Sequence, residues 1–262
     1  MSHNGGKGAS AGPVAEPVAI GVPMSKFVKY TLNSTPDLVL VSQARSLAAE
    51  KFRRLRTLLT HMDPPPRAVV VTSASPGDGK SMVSINLALA FAAEGDGRVV
   101  LVDCDLRRPT VGSWVLPKPG HGFSDVVAEK AGLGQAILRI EDTALDILPA
   151  GTLPQDPVEV LGSSAARTVV EELRERYRMV ILDTPPIVPF TDADVVGRYA
   201  DGVVLVARAG ATLLPSFQQA VAAVSSTRIL GVVLNDVARS LADWNRYNDY
   251  AYHDYYAEDR RK

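Results

Sequence analysis

A glycine-rich turn between a run of β-branched residues and a helical pattern constrains this chain more than any other feature. In VVVTSASPGDGKSMVSINLALA, residues 69–90, the apolar start reads as a buried strand and the pattern from Lys80 onward as a helix. Gly77-Asp78-Gly79-Lys80-Ser81 lies at the junction. This is the context a phosphate-binding loop requires, because backbone N–H groups and a helix N-terminus offer partial positive charge to phosphate oxygens. Lys80 would reach the β- and γ-phosphates, the Ser81 hydroxyl would ligate Mg²⁺, and the expected nucleotide contacts run from Gly77 through Met82. A turn using glycine for geometry alone explains neither Lys80-Ser81 nor the helix start. One position departs from G-x-x-x-x-G-K-S: its first glycine is Ala74 here.

The rest of the chain fits one fold around that loop. Apolar, β-branched runs predict strands at 67–72, 98–103, 145–149, 178–183, 202–207 and 229–234. Helical patterns fall near 80–94, 123–138, 157–177, 191–199 and 215–227. Strands apolar on both faces belong to a parallel sheet covered by helices, so the expected fold is a doubly wound, mostly parallel α/β domain. Upstream, residues 43–62 predict an amphipathic helix with Ala48, Phe52, Leu55 and Leu59 on one face, ended by DPPP at 63–66. Residues 1–42 read as a flexible arm, 43–240 as the folded domain, and 241–262 as a tail.

Composition excludes several classes. The 262 residues are 46% hydrophobic, enough for a full core, and the formal net charge of −1 implies no general field for nucleic acid. A single cysteine, Cys104, permits no disulfide framework and suits a reducing compartment. The four histidines lack ligand spacing, so no protein-built transition-metal site is expected. Apolar runs such as 68–71 and 202–207 are far shorter than the roughly 20 residues a membrane helix needs. The N-terminus carries no secretory pattern of charge followed by an apolar run.

Two acidic motifs complete a candidate site. In RVVLVDCDLRRP, Asp103 and Asp105 end a strand two residues apart, so on a strand they share a face and Cys104 points away. Carboxylates at the C-terminal ends of strands lie where open α/β sheets bind ligands. The plainer reading is an Asx turn neutralised by Arg107. In MVILDTPP, Asp183 ends another strand and suits a carboxylate that holds the waters of Mg²⁺, against a turn enforced by Pro185-Pro186. Together the motifs set one cation and three carboxylates around a metal–nucleotide site.

The last nineteen residues, WNRYNDYAYHDYYAEDRRK, contain Tyr247, Tyr250, Tyr252, Tyr255 and Tyr256 among acids. With this tail, the loop TSASPGDGKS, the motifs VVLVDCDLRRP and VILDTPP, the stretch LPAGTLPQDPVEVLGSS and the upstream EKFRRLR, the sequence resembles the bacterial tyrosine kinases of capsule and exopolysaccharide export over roughly residues 44–256. That family tolerates Ala74, and Asp78 stands where it more often has Glu. Partition and division-site ATPases carry a signature lysine at the position of Ser75, which separates this chain from them.

The resemblance implies an ATP- and Mg²⁺-dependent tyrosine autokinase whose acceptors are the five tail tyrosines. Lys80, Asp103, Asp105 and Asp183 are then its catalytic set, with Ser81, Asp105 and Asp183 around the metal. Asp103 is the candidate base for the phenol proton, and metal organisation is the competing role. Asn235 would contact adenine. Glu50, Arg53 and Arg56 match E-x-x-R-x-x-R, which in the family faces a neighbouring subunit of a ring; a solvated helix face is the plainer alternative. The implied partners are a separate transmembrane activator of the polysaccharide chain-length-determinant type, a phosphotyrosine phosphatase and further copies of the chain. The implied location is cytoplasmic, at the inner face of the membrane through that partner. The rival class is a non-kinase P-loop ATPase switch; a scaffold with a degenerate site is a third.

Overall fold

The structure, a computed structural model, describes residues 29–33, 35 and 37–237. The chain opens with a short strand, β1 (Thr31–Leu32), and two helices, α1 (Val39–Ser42) and α2 (Leu47–Thr60). Strand β2 (Ala68–Ser73) leads through the phosphate loop into α3 (Lys80–Ala92), and β3 (Val99–Asp103) follows. Next come β4 (Val115–Leu116), α4 (Phe123–Val127), α5 (Leu133–Ala136), β5 (Leu138–Arg139) and β6 (Leu145–Leu148). Helices α6 (Pro157–Gly162) and α7 (Ser164–Arg176) precede β7 (Met179–Asp183) and α8 (Asp192–Gly197). The described part closes with β8 (Gly202–Arg208), α9 (Leu214–Ala223) and β9 (Ile229–Asn235).

Seven strands form one sheet in the order β5-β6-β3-β7-β2-β8-β9, parallel except for β5. The six predicted strands are all present within a residue of their expected ends. Side-chain alternation divides the core between the two faces. Val69 and Val71 pack with Ile85, Leu101 and Ile181 under α2 and α3. Ala68 and Val70 pack with Val100, Leu173 and Leu182 on the opposite face. The sheet therefore reads as apolar throughout because both of its faces are covered.

Four expected helices differ from what the periodicity predicted, one of them by ending early: the helix expected at 215–227 is α9, which stops at Ala223. The pattern at 123–138 splits into α4 and α5, with Glu129 at φ 57° between them, and its end becomes the antiparallel edge strand β5. The pattern at 157–177 breaks at Ser163, whose side chain accepts the Ala166 N–H and starts α7 afresh. Helix α2 starts late, where Ser46 accepts the Ala49 N–H at 3.2 Å. The described end of the expected flexible arm is also packed: β1 pairs antiparallel with β4, and Leu38 is fully buried. Residues 1–28 of that arm and the tail 241–262 with its five tyrosines lie outside the described residues.

Candidate active site

Strand register brings the predicted acids together. Asp183 is the partner of Val71 on one side and of Asp103 on the other, so β7 and β3 end level beside β2, which runs two residues further toward the phosphate loop. Gly77 and Gly79 adopt φ 86° and 91°, conformations that favour glycine. A Cβ on Gly79 would sit 2.0 Å from Asn235 Nδ2, so a side chain there would push the Asn235 amide off the loop on top of the strain of its positive φ. Helix α3 then starts at Lys80, with the Val83 N–H donating to the Gly79 carbonyl at 2.9 Å.

Lys80 stands among carboxylates. Its Nζ lies 2.8 Å from Asp105 Oδ2, 4.0 Å from Asp183 Oδ2 and 3.1 Å from the Ser81 hydroxyl. Burial alone would lower its pKa, but the charges of Asp183, Asp105 and Asp103 outweigh this and hold it raised. Asp103 is fully buried, and its pKa is pushed up to about 8, first by burial and then by the charge of Asp183. Its two oxygens accept the N–H groups of Asp105 at 3.1 Å and Val111 at 3.0 Å. Asp105 accepts the N–H groups of Arg107 and Arg108. The Asx turns of the plainer reading are thus present, but Asp105 still turns an oxygen onto Lys80.

Asp183 has one oxygen fixed and one without a hydrogen bond. Oδ1 accepts the Ser84 hydroxyl at 2.9 Å, while Oδ2 is buried with no hydrogen-bond partner. Burial raises its pKa, and Lys80 pulls it back down. A buried carboxylate oxygen left over beside Ser81 and Lys80 is the donor set expected where a hard cation completes the site. Among the described residues no group of three or more His, Cys, Asp or Glu side chains is arranged to hold a metal by itself. Mg²⁺ ordinarily keeps several waters and binds through one or two carboxylates plus phosphate oxygens, so these residues fit it.

Several functional contacts escaped the sequence. Asp78, expected at the nucleotide, is 3% exposed and faces inward: its carboxylate accepts the Ser75 N–H at 2.8 Å and the Thr212 hydroxyl at 2.7 Å. Asn235, expected at adenine, donates its amide to the Asp78 carbonyl at 3.0 Å. These bonds tie the loop to β9 and to the turn after β8, contacts beyond those the sequence predicted. Arg107 does not neutralise the acid pair; it forms a two-pronged ion pair with buried Asp192 at 2.9 and 3.1 Å and lies 4.2 Å over the Phe190 ring. Met82 lies half-buried on α3, its sulfur 3.2 Å from Asn86 Nδ2. Cys104 is buried, and burial pushes its thiol pKa up, as expected of a packing residue.

The residues expected at a subunit interface have partners within the chain. Arg53 pairs with Glu50 and donates to the Ala44 carbonyl at 2.6 Å. Arg56 Nε lies 3.0 Å from Glu94 Oε1, tying α2 to the end of α3.

A glycine-bent loop heading a helix, one buried lysine and carboxylates at adjacent strand ends define a P-loop nucleotide-binding domain. Residues 69–252 match the family described as CbiA, the CobQ/CobB/MinD/ParA nucleotide binding domain. Within that class the chain belongs to the bacterial tyrosine kinases. It is 34% identical over 221 residues to tyrosine-protein kinase YwqD of Bacillus subtilis, covering 83% of this chain and 91% of that protein. It is 31% identical over 223 residues to tyrosine-protein kinase wzc of Salmonella typhimurium, covering 84% of this chain but 30% of that one. The chain thus spans nearly all of the first relative and less than a third of the second. The kinase domain of Escherichia coli tyrosine kinase ETK superposes with a TM-score of 0.73 at 29% identity, covering 80% of this chain and 83% of that one. The cell division ATPase MinD of Pyrococcus furiosus gives 0.55 at 25% identity, covering 67% of this chain and 74% of that one, a more distant relation.

Proposed function

We propose that the chain is an ATP·Mg²⁺-dependent protein-tyrosine autokinase that transfers the γ-phosphoryl group of ATP to tyrosines of its C-terminal cluster. The observation that carries this reading is the placement of Lys80 within 4.0 Å of both Asp105 and Asp183, with Asp103 in register beside them. A nucleotide switch needs the loop and a metal carboxylate. A kinase needs in addition a group to take the phenol proton, because tyrosine, with a pKa of about 10, is almost wholly un-ionised at neutral pH.

In this reading the loop N–H groups and Lys80 orient the phosphates. The tyrosine oxygen bonds to the γ-phosphorus as the bond to the ADP oxygen breaks, and the phenol proton passes to Asp103. Each Asp103 oxygen keeps a lone pair beyond its backbone hydrogen bond, so the ionised carboxylate can take the proton; burial makes that ionised form a stronger base but a smaller fraction of the protein at neutral pH. Ser81, Asp105 and Asp183 would hold Mg²⁺. When bound, the metal supplies positive charge against the phosphate and leaving-group oxygens.

Among the described residues no helix is long and apolar enough to cross a membrane. The proposal places the protein at the inner face of the cell membrane through a separate activator of the chain-length-determinant type, assembled with copies of itself and reset by a phosphotyrosine phosphatase. Its biological setting is the synthesis and export of exopolysaccharide or capsule. The test is incubation with radiolabelled ATP and Mg²⁺ followed by phosphoamino-acid analysis, with and without such a partner. Phosphotyrosine is the expected product; ATP hydrolysis without it under every condition returns the chain to the nucleotide-switch class.

A further inference from the structure

We infer that the described residues between 29 and 42 form a strap that positions the acidic motif, with Asn33 as its positioning residue. The strap is fastened at three places. Lys29 pairs with Glu141 at 2.5 Å, and the Glu141 N–H donates to the Tyr30 carbonyl at 2.9 Å. Thr31 and Leu32 pair with Leu116 and Val115; the Asn33 N–H then donates to the Trp114 carbonyl at 2.8 Å, and its amide to the Ser113 carbonyl at 3.2 Å. Beyond these, Leu38 is fully buried against α3.

The third fastening reaches the phosphate-loop helix. Asn86, six residues after Lys80, is fully buried in a helix whose neighbouring positions are almost all apolar. Its Nδ2 donates to the Asp37 carbonyl at 2.9 Å and the Met82 carbonyl at 3.0 Å, and its Oδ1 accepts the Leu40 N–H at 3.4 Å. A buried amide without partners is costly, so Asn86 specifies where residues 37–40 lie.

The consequence for the site runs through Val111. Its N–H donates to Asp103 Oδ2, and it opens the short 3₁₀ turn Val111–Trp114. The carbonyls at the far end of that turn, on Ser113 and Trp114, are the ones Asn33 holds. The strap therefore fixes both ends of the active site separately: the phosphate-loop helix through Asn86, and the peptide that orients Asp103 through Asn33. Releasing only the second should disturb proton transfer while leaving nucleotide binding in place.

The functional half of this inference rests on the kinase reading; the structural half does not. The test uses the full chain and two variants. Asn33→Pro removes both donors to the turn, while Asn33→Ala removes the side-chain donor alone. The first readout is amide exchange at residues 111–114, which Asn33→Pro should speed by about tenfold or more and Asn33→Ala only slightly. The second is the rate of phosphotyrosine formation, which in Asn33→Pro should fall about tenfold at saturating ATP, with half-saturation by ATP unchanged. Unchanged exchange at Val111 overturns the strap. Faster exchange with an unchanged rate overturns its positioning role, as does a loss of nucleotide affinity equal to the loss of rate. A wild-type chain that forms no phosphotyrosine sinks the kinase reading, and the exchange readout still decides whether the strap holds the turn.

Discussion

Lys80 Nζ lies 2.8 Å from Asp105 Oδ2, and this pair is the charge balance of the whole site. Lys80 faces Asp103, Asp105 and Asp183, whose charges all raise its pKa. Lys80→Met should therefore do more than abolish phosphotyrosine. It leaves buried carboxylates without their cation, and breaking such a pair costs up to about 3–5 kcal/mol. The acids can escape by taking up protons that the unfolded chain does not bind, so the loss of stability should grow as pH rises. Thermal unfolding at about pH 5.5 and about pH 8, values that bracket the titration of carboxylates raised by burial, checks this. A melting temperature equal to wild type at the higher pH would contradict it.

Asp103 carries a second pH signature. Its pKa is raised from 3.8 to about 8, so between those values the native state binds the proton more tightly than the unfolded chain. Stability from this group is greatest below the lower value and falls as pH rises through the upper one. Asp103→Asn cannot titrate, although it leaves one of the Asp105 and Val111 N–H groups without an acceptor, at a cost of about 1–3 kcal/mol. The variant should start less stable at low pH and gain on wild type steadily as pH rises. If Asp103 is the base, phosphorylation should fall by about 10²–10⁴-fold while ATP binding survives. Equal loss of ATP binding would assign the residue to the metal instead.

How much of this was legible depends on the range of the interactions involved. The six parallel strands and the phosphate loop are local patterns, and the strand ends of Asp103 and Asp183 follow from them. The splits at Glu129 and Ser163 were hidden because apolar spacing continues across both breaks, while a left-handed turn with backbone bonds back to Asp125 decides the first and the Ser163 side-chain cap the second. The site's charges could be read, but the inward turn of Asp78 could not. It depends on Thr212, 134 residues away, and Asn235 depends on the carbonyl of Asp78. The ion pair of Arg107 with Asp192 spans 85 residues and has no signal at either end. The strap looked like an arm because it is held by backbone pairings, the Lys29–Glu141 ion pair, two asparagines and the single buried Leu38, which leave no hydrophobic period.

Arg56 separates assembly from folding. Because it ties α2 to Glu94, Arg56→Ala should lower the melting temperature of a dilute sample by several degrees, corresponding to about 1–2 kcal/mol for a partly buried charged contact. Glu50 and Arg53 pair with each other on the same helix, and Arg53 also donates to the Ala44 carbonyl, so replacing Glu50 alone with Ala should affect stability by only about a few tenths of a kcal/mol. If the segment also meets a neighbouring subunit, the Glu50→Ala variant will shift the mass distribution in light scattering with little change in the melting temperature. An unchanged distribution leaves the segment as a solvated helix face.

The tail supplies the last prediction. From Leu241 to Lys262 its reach is bounded at about 3.3–3.6 Å per residue, and the proposed assembly would need that reach to span from one copy to a neighbour's phosphate loop. Each phosphate would add about −1.5 to −2 charges at neutral pH. The site it must enter is lined by Asp103, Asp105 and Asp183, with Lys80 as their nearest cation. A tail carrying several phosphates would be repelled from that site, so phosphorylation in trans should release the tail and loosen the assembly, and dephosphorylation should restore it. Mixing a Lys80→Met protein that keeps its tail with an active protein whose five tail tyrosines are Phe isolates the transfer between subunits. Phosphotyrosine is expected on the inactive partner, at a rate that rises with concentration. Label that appears only when kinase and tail share one chain, independent of concentration, would rule the trans route out.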